Sequence, residues 1–137
     1  MSARQRPFRL TGPKPYKPPP PKEHDLQRDV KRLLTILLPP DAWFTAVDHA
    51  NKKDGLTGAI LKGRGAVSGL PDLWLVYQGR LFLIELKRPG GQVSEVQELC
   101  HLALRRAGAP VAVCHSPVEV QAALRGFGIP LRGRIAA

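Results

Sequence analysis

The chain has 137 residues, 43% of them hydrophobic, and carries a formal net charge of +10 with a pI near 10.3. That length suits one domain with short extensions. A positive surplus of that size in so small a chain favours a polyanionic partner, most simply nucleic acid. No apolar run reaches the ~20 residues that a membrane helix needs, and no apolar stretch follows the basic N-terminus as in a signal peptide. Two cysteines, Cys100 and Cys114, make no disulfide framework, so an intracellular, cytoplasmic setting is expected.

Residues 1–22 are rich in Pro, Lys and Arg, and Pro18 to Pro21 bar helix or sheet interior. The segment reads as a mobile basic arm. Leu26, Val30, Leu33, Leu34 and Leu37 then recur at helical spacing, which predicts a helix from about Glu23 to Leu38, stopped by Pro39-Pro40. Trp43 to Val47 reads as a strand. From Asp48 to Gly69 the chain is irregular and rich in Gly and Lys, with a short helical turn expected at Ala59 to Lys62. Loops of that length usually bind something.

Asp72–Tyr77 and Arg80–Lys87 are two strands joined by Gln78-Gly79, a two-residue connection that predicts a tight hairpin. Pro89-Gly90-Gly91 breaks the second strand. Ser94 opens the next helix, with Gln97 as capping-box partner, and Val96, Leu99, Cys100, Ala103, Leu104 and Ala107 as its expected apolar face. Gly108 ends it, and Val111 to Cys114 is a short strand. Ser116-Pro117-Val118-Glu119 carries the marks of a second capping box, opening a last helix that Gly128 ends. A basic tail, 129–137, follows. The order predicts an α/β domain over 23–128 with a mixed sheet covered by helices.

The hairpin carries the chemistry. If Gln78-Gly79 is the turn, Tyr77 faces Arg80, and counting outward sets Asp72 opposite Glu85. Directly opposed residues have Cβ atoms roughly 4.5–5.5 Å apart. Lys87 lies two residues beyond Glu85, on the same face. Opposed carboxylates among apolar neighbours are costly unless they share a proton or hold a divalent cation. Mg²⁺ or Mn²⁺ suits such a pair. An ammonium beside it can orient water or neutralise an attacked phosphate. The bland alternative is a charged, solvated hairpin end. Cys100-His101 with Cys114-His115 is a poor zinc site, because adjacent residues on one element point in different directions.

Gly69-Leu70-Pro71-Asp72 followed by Glu85-Leu86-Lys87 resembles the GxPD…ExK signature of VRR-NUC domains, virus-type replication-repair nucleases of the PD-(D/E)xK superfamily. The likeness runs from about Glu23 to Gly128 and includes His49-Ala50-Asn51 before the Gly/Lys-rich loop. It implies a restriction-endonuclease-like core and a Mg²⁺- or Mn²⁺-dependent endonuclease acting on DNA, with branched or Holliday-junction DNA as substrate and a homodimer as assembly. By the same resemblance, Asp72, Glu85 and the Leu86 carbonyl are metal ligands, and Lys87 activates water. Glu23 completes the site, directly or through water, and Gln97 supports it. Asn51, Lys52, Lys53, Lys62 and Arg64 are expected to contact phosphate. Stand-alone members of the family are often bacterial or viral. The alternatives are a catalytically silent DNA-binding module or an RNA substrate, although nothing in the chain reads a 2′-hydroxyl.

Overall fold

The structure is a computed structural model, and it describes residues 23–47 and 55–136. Its elements run α1 (Glu23–Leu37), β1 (Trp43–Ala46), α2 (Gly55–Gly63), β2 (Leu73–Tyr77), β3 (Arg80–Leu86), α3 (Glu95–Arg106), β4 (Val111–Cys114) and α4 (Pro117–Gly126). The four strands form one sheet in the order β1-β2-β3-β4. β1 pairs antiparallel with β2 and β2 antiparallel with β3, and β4 runs parallel to β3 after the α3 crossover. This is the mixed-sheet α/β core expected. Among the described residues no helix is long and apolar enough to cross a membrane.

Side chains alternate across the strands, so the sheet has two distinct faces. On one, Leu73, Leu75, Phe82, Ile84, Leu86 and Cys114 form a single core with Leu26, Val30, Leu33, Leu34 and Leu37 of α1 and Val120 and Leu124 of α4. Phe82 stacks on Phe127 at 4.9 Å, closing that layer beyond α4. The other face carries Asp72, Trp74, Leu83, Glu85 and Lys87, and α3 lies across it.

The tail beyond α4 is held to this core. The Arg132 N–H donates to the Leu37 carbonyl and its guanidinium to the Thr35 carbonyl, both at 2.9 Å. α1 has no basic residue of its own in its last turn, so Arg132 brings both the donors and the positive charge that a helix C-terminus favours. Farther along, the Ile135 N–H donates to Gln121 Oε1 at 2.6 Å.

Three local expectations are corrected. Where a single turn was expected at Ala59 to Lys62, the helix spans Gly55–Gly63, its glycines having masked the helical pattern. Val96, Leu99, Ala103 and Ala107, expected on the packed face of α3, are exposed, Leu99 at 62%. The inward face instead centres on Gln97, Cys100, His101 and Leu104, because α3 sits over the polar end of β3. The second capping box is incomplete. Ser116 Oγ accepts from the Glu119 N–H as expected, but the Glu119 carboxylate takes the N–H of His115, one residue further back.

Gln78 and Gly79 have φ of +48° and +74°, the left-handed pair of a type I′ turn. Left-handed backbone costs an ordinary L-residue about 1–2 kcal/mol, and Asn bears it best. Gln78→Asn is therefore expected to raise unfolding free energy by about 0.5–1 kcal/mol. In a urea titration this shows as a higher midpoint with an unchanged slope.

Candidate active site

The register that builds the site is that of the hairpin. Tyr77 pairs with Arg80, Val76 with Leu81, Leu75 with Phe82, Trp74 with Leu83 and Leu73 with Ile84. Continued past the last pair, the register sets Asp72 opposite Glu85 and, one step further, Pro71 opposite Leu86. An antiparallel ladder would there ask residue 71 for an N–H to bond the Leu86 carbonyl, and proline has none. The Leu86 N–H turns to a side chain instead, donating to Asp72 Oδ2 at 2.7 Å. The Asp72 carbonyl meanwhile accepts from Val47 N–H at 2.9 Å. Asp72 is thus fixed from both neighbouring strands, through its backbone and through its carboxylate.

Gly69 sets the third side. Its φ is +81°, and an added Cβ would stand 2.6 Å from the Val96 carbonyl oxygen. Only glycine lets the loop lie this close to the first turn of α3. That approach brings Gln97 over Glu85. Ser94 Oγ accepts from the Gln97 N–H at 3.2 Å and Gln97 Oε1 accepts from the Ser94 N–H at 3.0 Å, completing the capping box. The other end of the same amide donates from Nε2 to Glu85 Oε1 at 2.9 Å. One side chain both starts the helix and ties it to the sheet.

Glu85 is 1% exposed and Asp72 7%. Lys87 Nζ lies 3.6 Å from Glu85 Oε1, on the shared face that the strand period requires. The remaining Glu85 oxygen, Oε2, faces His101 Nε2 at 3.5 Å, and neither atom has a hydrogen-bond partner among the described residues. Trp74 Nε1, on the same sheet face, is likewise buried without one. Burial, and next the negative charge of Asp72, push the Glu85 carboxyl up to about 8, with Lys87 pulling the other way. The His101 imidazole is held below its usual range by burial and then by the positive charges of Arg105 and Lys87. Cys100, one residue earlier, is pushed up by burial and by Glu85.

The structure thus gathers Asp72, Glu85, Lys87, Gln97 and the backbone of Leu86. Glu23 is the first residue of α1, and its side chain lies outside the described residues. Asn51, Lys52 and Lys53 also fall outside them. Lys62, in the last turn of α2, and Arg64 just after it are exposed. His101, considered above only as a zinc ligand, also belongs to this cluster. Its spacing was the available signal, since it stands four residues after Gln97 and so on the same helical face.

Among the described residues no group of three or more His, Cys, Asp and Glu side chains could hold a metal ion. The donor chemistry nevertheless fits a hard divalent cation. Two carboxylates converge, one buried oxygen lacks a partner, and such ions bind through one or two carboxylates while keeping several waters.

An α/β domain with a mixed sheet, flanked by helices and carrying opposed carboxylates and a lysine at one strand end, has the architecture of restriction-endonuclease-like nucleases. The family model described as VRR-NUC domain matches residues 42–117, more than half of the chain, and the chain belongs to that nuclease family. Neither a curated protein nor a solved structure matches it.

In the metal-free protein, Glu85 binds its proton more tightly folded than unfolded, where it titrates near 4.5. The stability this contributes is complete below 4.5 and is lost as pH rises through about 8. Urea midpoints measured in EDTA are therefore expected to fall between pH 5 and 9 in wild type. Glu85→Gln should flatten that fall, because an amide has no proton to lose.

Proposed function

We propose that this chain is a Mg²⁺- or Mn²⁺-dependent DNA endonuclease that hydrolyses phosphodiester bonds in branched DNA. The observation that carries the reading is the buried, opposed pair of Asp72 and Glu85 with Lys87 beside it. In a pure binding surface such a pair would repel phosphate, and its burial would be a cost without return.

In this reading Asp72, Glu85 and the Leu86 carbonyl hold the cation, and Glu23 completes the set from α1, directly or through water. A divalent ion bound there supplies Lewis acidity to the scissile phosphate and to the attacking water. Lys87 holds that water and offsets charge gathering on the phosphate. Gln97 keeps Glu85 in one orientation. Pro71 leaves the Leu86 carbonyl without its ladder donor, which supports its use as a ligand. Asn51, Lys52, Lys53, Lys62 and Arg64 would meet the DNA backbone, and the net charge of +10 supports a polyanionic substrate.

The assembly in this reading is a homodimer, since two cuts related by two-fold symmetry need two sites. The setting would be the cytoplasm of a bacterium or of a phage-infected cell, consistent with two unpaired cysteines.

The test is cleavage of labelled four-way-junction, flap and linear duplex DNA with Mg²⁺, with Mn²⁺ and with EDTA. Wild type should cut with metal and prefer branched DNA, and Asp72→Asn should lose at least about a hundredfold in rate. Tight binding without cutting in either metal would instead make the chain a DNA-binding module.

A further inference from the structure

The residue that the site reading does not use is His101. It is 2% exposed, and its Nε2 stands 3.5 Å from Glu85 Oε2. Both atoms are buried without a hydrogen-bond partner among the described residues. A buried ring nitrogen and a buried carboxyl oxygen left facing each other without partners are rare in folded proteins. Here they are separated by a few tenths of an ångström more than a good hydrogen bond.

The opposite oxygen of the same carboxylate is already held, by Gln97 Nε2 at 2.9 Å. Gln97 and His101 are four residues apart, so one face of α3 presents two nitrogen groups to the two oxygens of Glu85. Helix α3 is itself anchored on both flanks. Gly69 packs against its first turn, and Arg105 Nη2 donates to the Val111 carbonyl at 2.9 Å near its end.

We propose that His101 is a positioning residue, donating its Nε2–H to Glu85 Oε2 so that α3 clamps both oxygens of the carboxylate. Each carboxylate oxygen has further lone-pair capacity, so the clamp leaves Glu85 able to bind a cation. It fixes the direction in which those lone pairs point, as groups hydrogen-bonded to metal ligands commonly do. The clamp follows from the metal-free geometry. Its consequence for metal affinity rests on the reading that Glu85 is a ligand.

Two measurements separate these. In EDTA at about pH 9, where Glu85 is ionised, the ¹⁵N-imidazole spectrum of wild type should show His101 protonated at Nε2, with slow exchange of that proton that Glu85→Ala accelerates. His101 protonated only at Nδ1, or exchange unchanged in Glu85→Ala, overturns the clamp. Mn²⁺ affinity is then measured by calorimetry on wild type, His101→Leu and His101→Gln. Leucine removes the donor, whereas glutamine carries an amide N–H to about the same reach. His101→Leu should bind Mn²⁺ at least about tenfold more weakly, and His101→Gln should recover most of that loss. Equal affinity in wild type and His101→Leu, or a glutamine variant as weak as the leucine one, overturns the consequence for metal. If His101→Leu does not fold, the comparison of His101→Gln with wild type decides, full loss in the glutamine variant being the contrary result. A wild type that binds no Mn²⁺ sinks the metal reading of the site and the affinity consequence with it, while the imidazole spectrum still decides the clamp.

Discussion

Asp72 and Glu85 stand across from each other on a hairpin, and one of them is almost sealed from water. Two negative groups so placed repel, and burial strengthens the repulsion by removing the solvent that would screen it. The surrounding structure supplies partners to each. Leu86 gives Asp72 a backbone N–H, Gln97 gives Glu85 an amide, and Lys87 brings a positive charge. What remains uncompensated appears in the proton affinity of Glu85, raised to about 8. The same strands pack an apolar core on their opposite face, so this cost is confined to one place, as it often is at functional sites.

The scaffold divides the work between the two faces of its sheet. α1 and α4 cover the apolar face and hold the fold, and the tail seals the end of α1 through Arg132. α3 covers the other face only in part, and its inward side is polar where it meets Glu85. Its outer flank leaves Val96 and Leu99 in solvent. Proline and glycine decide the details around the pair. Pro71 ends the ladder at the residue before the catalytic aspartate of this reading, and Gly69 lets α3 come near enough for Gln97 to reach across.

Much of this was legible in the sequence, because the relevant signals are local. Gln78-Gly79 fixed the register, and strand periodicity then placed Asp72, Glu85 and Lys87 on one face by counting alone. Ser94 and Gln97 marked the start of α3. The double duty of Gln97 was not legible, because a capping box explains the residue fully without its second contact. His101 was hidden for a related reason. A histidine inside an apolar stripe reads as core, and only the tertiary approach of α3 to β3 turns it toward a carboxylate. The stripe itself misled, since Val96 and Leu99 share its spacing but not its burial. Glycines at both ends and in the middle of α2 concealed a helix whose propensity is poor. Glu23 was named through resemblance and the lysines of the β1–α2 connection through the place of their loop before the hairpin, and their side-chain placement lies outside the described residues.

Asp72 and Glu85 form one buried unit, and in the proposed function a divalent cation relieves its charge. The most direct measurement is the titration of the Glu85 side-chain carboxyl by ¹³C NMR, in EDTA and again with saturating Mg²⁺. A midpoint near 8 is expected without metal, and an ionised carboxylate throughout the neutral range with it. A midpoint in the ordinary carboxylate range in EDTA, unmoved by Mg²⁺, would contradict it.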